Sequence, residues 1–385
     1  MGKVAETIRK FRVFISAAEA SGDSHCAALI SAFQKSSYDI EFVGVGGEKM
    51  AAAGCGLLES TTGRASMIYK AFRHVVHFYG LIRRIRRFLV QNEIDLVIVC
   101  DSPSLNIHVA KAAKKAGIKT VFYVAPQLWA WGGWRIRKLH RFCDKLCCLL
   151  PFEQEWFCER GVDTVFVGNP LVEGLAADLS SYSRTDARFD AANAVVALMP
   201  GSRAAEIESL WAPMQEIALR LKEKYPGSSF VTVAVDAERQ QILESNQIEG
   251  FGCEYSTGAV SETARRADFA LVASGSATLQ VAAVGCPMVV MYQSSRILWH
   301  LFGRFIVKTK YLSLVNILAG KELVREFMPY FVSVEPIIEA VENLLEDKNA
   351  LAGLSSELIS LARPLRQGSA SEKVAEIVLA MLNRC

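Results

Sequence analysis

With 385 residues, 51% hydrophobic and 22% charged, the chain is too long for one typical core and has the balance of a soluble globular protein, which predicts two domains. No run approaches the roughly 20 apolar residues needed to span a bilayer, and the stretch from Met1 to Lys10 leads only into a short apolar run, so a cytoplasmic location is expected. The net charge of +3 excludes no partner by itself, and the ten cysteines show no zinc-type pairing and read as reduced, mostly buried thiols.

Short apolar or β-branched runs alternate with helical patterns from the start. Val13 to Ser16, Glu41 to Val45, Asp95 to Cys100, Lys119 to Val124, Lys145 to Leu149 and Thr164 to Val167 read as strands. In Cys26 to Gln34 and Ile107 to Lys115 apolar residues recur every three or four, as on a helix. Such alternation predicts a parallel sheet covered by helices. Within it, the stretch between Glu59 and Glu93 has no acidic residue, and its basic residues, Arg83 and Arg84 among them, alternate with apolar and aromatic ones such as Phe72, Val76 and Tyr79. That pattern fits a lipid-facing surface. It fits equally a core helix with a solvated basic edge. Nucleic acid is not expected, because no reader motif accompanies the charge.

From about residue 175 to 193 the pattern breaks into polar residues, then restarts at Val195 to Met199 and continues through Phe230 to Val235, Phe269 to Ala273 and Pro287 to Met291. Domains over 1–175 and 190–350 are expected, with C-terminal helices over 351–385 that could pack back on the first domain. Two Rossmann-like halves of this kind bind ligands at the C-terminal edges of their strands. Ala273 leads into Ser274, Gly275 and Ser276, a small-residue loop that opens a helix, where bare N–H groups can approach a diphosphate. The same residues also suit an ordinary strand-to-helix turn.

Eight segments carry a resemblance when taken in order: Ala17–Asp23, Phe42–Gly47, Asp101–Asn106, Tyr123–Trp131, Leu149–Glu153, Phe166–Pro170, Leu198–Ile207 and Val307–Leu323. Together they resemble the lipid-A-disaccharide synthase family, inverting glycosyltransferases of Gram-negative envelope synthesis, over nearly the whole chain. The resemblance implies an α/β fold of GT-B architecture, with two Rossmann-like domains facing an interdomain cleft. It implies that the sugar of UDP-2,3-diacylglucosamine is transferred to the 6-hydroxyl of 2,3-diacylglucosamine 1-phosphate, giving a β-1,6 disaccharide and UDP. A diacylated acceptor places the protein peripherally on the inner membrane surface. No cofactor is expected, and no metal, since the sequence has neither an Asp-x-Asp motif nor a His/Cys/carboxylate cluster at metal spacing. A homodimer is left open.

The site residues have physical readings beside the resemblance. An inverting transfer needs a base, and Asp101 leaves a strand at its C-terminal edge and matches the family's aspartate. Glu19 is expected to share that work or position the acceptor, although its loop also suits a helix N-cap. Arg203 can fork onto the diphosphate while the backbone of Ser274, Gly275 and Ser276 supplies N–H groups. Glu206 reads as a minor candidate or as a capping-box carboxylate. Asn316 can hydrogen-bond a phosphate or sugar hydroxyl, or serve as a turn residue. Trp129 and Trp131 read as core aromatics. Three positions depart from the family pattern: Gln280 replaces a Glu that accepts ribose hydroxyls, Asn169 replaces a His, and Ser104 replaces the second carboxylate of the aspartate block. Rival readings are a UDP-sugar 2-epimerase and a non-catalytic lipid- or nucleotide-binding paralogue. Retention of Asp101, Arg203 and Asn316 argues against the paralogue.

Overall fold

The computed structural model describes residues 10–61, 71–173, 175, 190–366 and 368–383. The chain divides into two compact units, Met1–Pro170 with Gly368–Cys385, and Leu171–Gln367. Each is built on one all-parallel sheet.

In the first unit the strands are β1 (Phe11–Ala17), β2 (Ile40–Gly46), β3 (Gly56–Ser60), β4 (Leu96–Cys100), β5 (Lys119–Tyr123), β6 (Lys145–Cys148) and β7 (Thr164–Phe166), in the order β3-β2-β1-β4-β5-β6-β7. The central strand β4 is buried along its whole length, as expected where helices cover both faces of a parallel sheet. Close backbone approach fixes the neighbouring glycines: a Cβ on Gly44 would lie 1.8 Å from the Ile15 carbonyl oxygen. Asp23 is buried, and its carboxylate accepts the backbone N–H groups of Gly47, Lys49 and Met50, capping the helix Glu48–Ala52 from a neighbouring element. The helix Ala71–Gln91 turns Leu81, Ile85 and Leu89 inward, one every four residues, and leaves Arg83, Arg86 and Arg87 exposed. Its C-terminal half is thus a core helix with a basic edge.

The second unit orders its strands β10-β9-β8-β11-β12-β13, from β8 (Val195–Met199), β9 (Ser229–Ala234), β10 (Glu254–Thr257), β11 (Phe269–Ala273), β12 (Met288–Met291) and β13 (Glu326–Phe327). The C-terminal helices pack on different units. Helix Lys348–Ala362 packs on helix Ala277–Ala283 of the second unit, where Ser355 Oγ donates to the Gly285 carbonyl at 2.6 Å. Helix Ala370–Leu382 instead packs on Ala20–Gln34, placing Val374, Val378 and Leu382 in the first unit's core. The split follows from which apolar stripe each helix has to bury.

Glu153 closes the first unit's last βα turn. It is buried, accepts Trp129 Nε1–H at 2.9 Å and the Leu149 and Leu150 amides at 3.2 and 3.0 Å, and burial pushes its carboxyl up to about 7 from an ordinary 4.5. Because the folded value lies above the unfolded one, the folded state holds an extra proton between them. This contribution to stability is therefore complete below pH 4.5 and is lost as pH rises towards about 7. At about 1.4 kcal/mol per pKa unit it amounts to about 3 kcal/mol. In urea titrations between pH 4.5 and 8, wild type minus Glu153→Gln should show that downward slope; a difference flat in pH would mean that Glu153 is ionised throughout.

Candidate functional site

Strands β1 and β4 are neighbours with Ala17 opposite Cys100, so Glu19 and Asp101 leave adjacent strand ends. Glu19 is the N-cap residue of helix Ala20–Gln34, exposed and with no side-chain cap bond. Asp101 and Ser102 take positive φ angles of 55° and 27°. Non-glycine residues held there cost of order 1–3 kcal/mol each and persist only where their surroundings over-determine them. At Asp101 the holding groups are visible. Its N–H donates to the Tyr123 carbonyl at 3.0 Å, and its own carbonyl accepts Asn106 Nδ2–H at 2.9 Å. Asn106 is fully buried, donates also to the Cys100 carbonyl at 2.6 Å, and accepts Ser16 Oγ–H at 2.8 Å. The backbone is thereby clamped, and the half-buried Asp101 carboxylate accepts a side-chain bond from Ser21 Oγ at 3.1 Å. It does not cap the next helix, whose N-cap is Ser102.

One helical turn beyond Ser21, His25 lies edge-on to Tyr123 at 6.0 Å between ring centroids. Burial holds its imidazole below the ordinary 6.5, against the pull of Asp101. A neutral ring results near pH 7. Ser21, His25 and the clamping role of Asn106 went unrecognised in the sequence; the one available signal was the four-residue spacing of Ser21 and His25 on a helix that follows a neighbouring strand.

In the second unit a cavity of about 290 Å³ lies over the ends of β8, β9 and β11. Gly201, Arg203, Ser274, Gly275, Ser276 and Gln280 line its polar side, and Val233, Val235 and Val260 its apolar side. Arg203 is the N-cap residue of helix Ala204–Lys224, with a side chain 77% exposed that reaches Glu206 Oε1 at 3.1 Å. Glu206 is buried, and its other oxygen accepts the Ser202 and Arg203 amides at 2.9 and 3.1 Å. It therefore acts as the capping-box carboxylate. Gly201, at φ 108°, leaves it room: a Cβ there would lie 2.5 Å from Glu206 Oε2.

The loop after β11 is less generous than expected, because the Ser274 N–H is already given to the Met291 carbonyl at 2.9 Å. Gly275, Ser276 and Ala277 open the helix Ala277–Ala283, and first-turn amides have no intrahelical acceptor. The amides left without an intrahelical acceptor thus start at Gly275. Gln280 accepts Ser261 Oγ–H at 3.3 Å and keeps its amide at the cavity wall.

Asn316 is corrected. It is fully buried; its Nδ2 donates to the Val324 carbonyl and Glu326 Oε2 at 2.8 and 2.9 Å, and its Oδ1 accepts the Leu323 and Val324 amides at 2.8 and 3.0 Å. Both donors and both acceptor positions are used within the protein, so none is left for a substrate. The side chains of Phe72 and Val76 lie outside the described residues. Tyr79 is exposed, and Arg83 with it, whereas Arg84 pairs with Glu59. Trp129 is core, as its bond to Glu153 requires; Trp131 is exposed, with the Arg135 guanidinium 4.6 Å from its ring centroid. Asn169 is buried.

Two parallel α/β units of this kind have the architecture of the GT-B class. Solved structures agree in fold: the UDP-GlcNAc 2-epimerase of Neisseria meningitidis bound to UDP-GlcNAc has a TM-score of 0.63 at 12% identity, covering 97% of this chain and 100% of that one. The calicheamicin glycosyltransferase CalG4 has a TM-score of 0.62 at 15% identity, covering 98% and 99%. Identities this low carry the fold alone. Sequence decides further. Residues 13–378 match the model of the lipid-A-disaccharide synthetase family, and the lipid-A-disaccharide synthase of Trichlorobacter lovleyi is 31% identical over 386 residues, covering 98% of this chain and 99% of its own. The chain belongs to the lipid-A-disaccharide synthetase family and is a glycosyltransferase.

The saturated bonding of Asn316 yields a test. Asn316→Ala should lower stability by about 1–3 kcal/mol through its unpaired buried partners, while the folded fraction binds UDP with unchanged affinity by calorimetry. A stable variant with weakened UDP binding would return Asn316 to the ligand.

Proposed function

We propose that the chain transfers the sugar of UDP-2,3-diacylglucosamine to the 6-hydroxyl of 2,3-diacylglucosamine 1-phosphate, with release of UDP. The observation that carries this reading is the family match over residues 13–378, within which lie both Asp101 and the cavity beside Arg203. Asp101 is the base. It takes the proton of the acceptor hydroxyl as that oxygen bonds to the donor's anomeric carbon from the face opposite the phosphate. The bond from carbon to the UDP oxygen breaks with its electron pair on the diphosphate, and the configuration inverts. A carboxylate whose backbone is pinned on both sides suits that work, since a positioned base loses little in reorganisation. Glu19, exposed at the neighbouring strand end, positions the acceptor.

The diphosphate gains charge as it leaves, and the second unit offers the exposed Arg203 guanidinium and the amides of Gly275 and Ser276. Gln280 takes the ribose, giving one acceptor oxygen and one amide where a carboxylate would give two acceptors. Tyr79 and Arg83 on helix Ala71–Gln91 face the membrane that holds the acylated substrates.

Incubation of the purified chain with both acylated sugars should give the disaccharide and UDP; UDP-sugar turnover without disaccharide would sink the reading. Asp101→Ala should cut turnover by about 100-fold or more, with an unchanged circular dichroism spectrum, and near-normal turnover would remove it from the mechanism. Arg203→Ala should weaken UDP binding by about 1.5–3 kcal/mol, roughly ten- to hundredfold in Kd. An unchanged Kd would assign the diphosphate elsewhere.

A further inference from the structure

The second unit carries an exposed apolar stripe that the reaction does not use. Between β12 and β13 the chain forms one continuous helical stretch, Arg296–Leu298, a π-helical turn Trp299–Gly303, and Arg304–Ile306. One side of it is tied down. The Arg296 guanidinium lies 5.2 Å from the Tyr330 ring centroid, and His300 Nε2 is 2.9 Å from the Tyr330 hydroxyl. The other side presents Ile297, Leu301 and Phe305, exposed by 71%, 59% and 68%, with Ile306 beside them at 42%. A four-residue step overshoots a full α turn and falls short of the wider π turn. The two drifts offset, which keeps the three side chains in a row.

Charge selects what the row meets. Between Asp268 and Glu322 the sequence has no acidic residue, and Lys308 and Lys310 stand exposed just beyond the stripe. Four apolar side chains fall far short of the roughly 800 Å² per partner that a stable protein interface buries. They suit the boundary of a bilayer, where apolar side chains enter the acyl region and cations meet anionic headgroups. We propose that the stripe Ile297, Leu301, Phe305 and Ile306 is a lipid contact of the second unit, directed at an anionic phospholipid surface and separate from helix Ala71–Gln91. It depends on neither the assignment of that helix nor the identity of the substrates.

The test is sedimentation of the full chain with vesicles of phosphatidylethanolamine and phosphatidylglycerol at low salt. Ile297→Ser/Leu301→Ser/Phe305→Ser should lower the partition coefficient by about tenfold or more, with UDP affinity unchanged as the mark of a folded second unit. Leu301→Asp alone, at an exposed position, should lower it several-fold and serves if the triple variant fails to fold. Lys308→Ala/Lys310→Ala should weaken binding to these vesicles and not to vesicles of phosphatidylcholine only. Wild-type partitioning in the triple variant and in Leu301→Asp overturns the proposal. So does loss of a dimer in ultracentrifugation with vesicle binding intact, which would assign the stripe to a second copy. Tyr79→Ser/Arg83→Ser is measured in parallel; if it alone leaves binding unchanged, the role given to helix Ala71–Gln91 fails and the stripe stands.

Discussion

A parallel strand covered by helices on both faces has no interior position for a charge, and the arrangement of chemistry in this protein follows from that. Along β4 and β11 every residue is buried and none is ionisable except Cys100, whose thiol burial pushes up well above its ordinary value. Beside these two strands, charged groups stand only beyond the strand ends. Asp101 follows β4 by one residue, and Arg203 follows β8 within a short loop. The same constraint sharpens the turn after β4: the chain must leave the sheet and enter a helix at once, and the positive φ angles of Asp101 and Ser102 accommodate that change of direction.

Motif residues then divide by whether their hydrogen-bonding capacity is spent. Asp23, Glu153, Glu206 and Asn316 are buried, and each gathers two or three backbone or indole N–H groups that turn geometry would otherwise strand. Leaving such donors unpaired costs about 1–3 kcal/mol each, so these side chains hold loops in shape. Asp101, Arg203 and Gln280 instead keep polar atoms at a surface or cavity wall. The staples hold these groups in place: Glu206 fixes the start of the helix that presents Arg203, and Asn106 fixes the peptide that presents Asp101.

His25 adds an electrostatic condition. Burial of the ring works against a charge on its imidazole, and outweighs the nearby Asp101 carboxylate that favours one. The apolar edge of Tyr123, itself buried at the end of β5, is part of that burial. A packing contact thereby bears on the protonation of His25.

Among the described residues, ten of the thirteen strands are legible from short buried apolar runs, whose composition is dictated locally by burial on both faces. The other three, β3, β10 and β13, lie at sheet edges. Gly56–Ser60 buries no residue, Glu254–Thr257 is polar, and Glu326–Phe327 is two residues long, so their pairing comes from the neighbouring strand and leaves no pattern of its own. At the site, the sequence by itself determined that Asp101, Arg203 and the Ser274–Ser276 loop follow strands, because ordered motifs and strand ends are local features. Only the tertiary structure decided that Asn316 is spent on the loop at Leu323 and Val324, that Ser274 gives its N–H to β12's end, and that Ser21 reaches Asp101, and Ser16 reaches Asn106, from far along the chain. Hydrogen-bond saturation depends on which atoms meet in space, and separation along the chain carries no record of it.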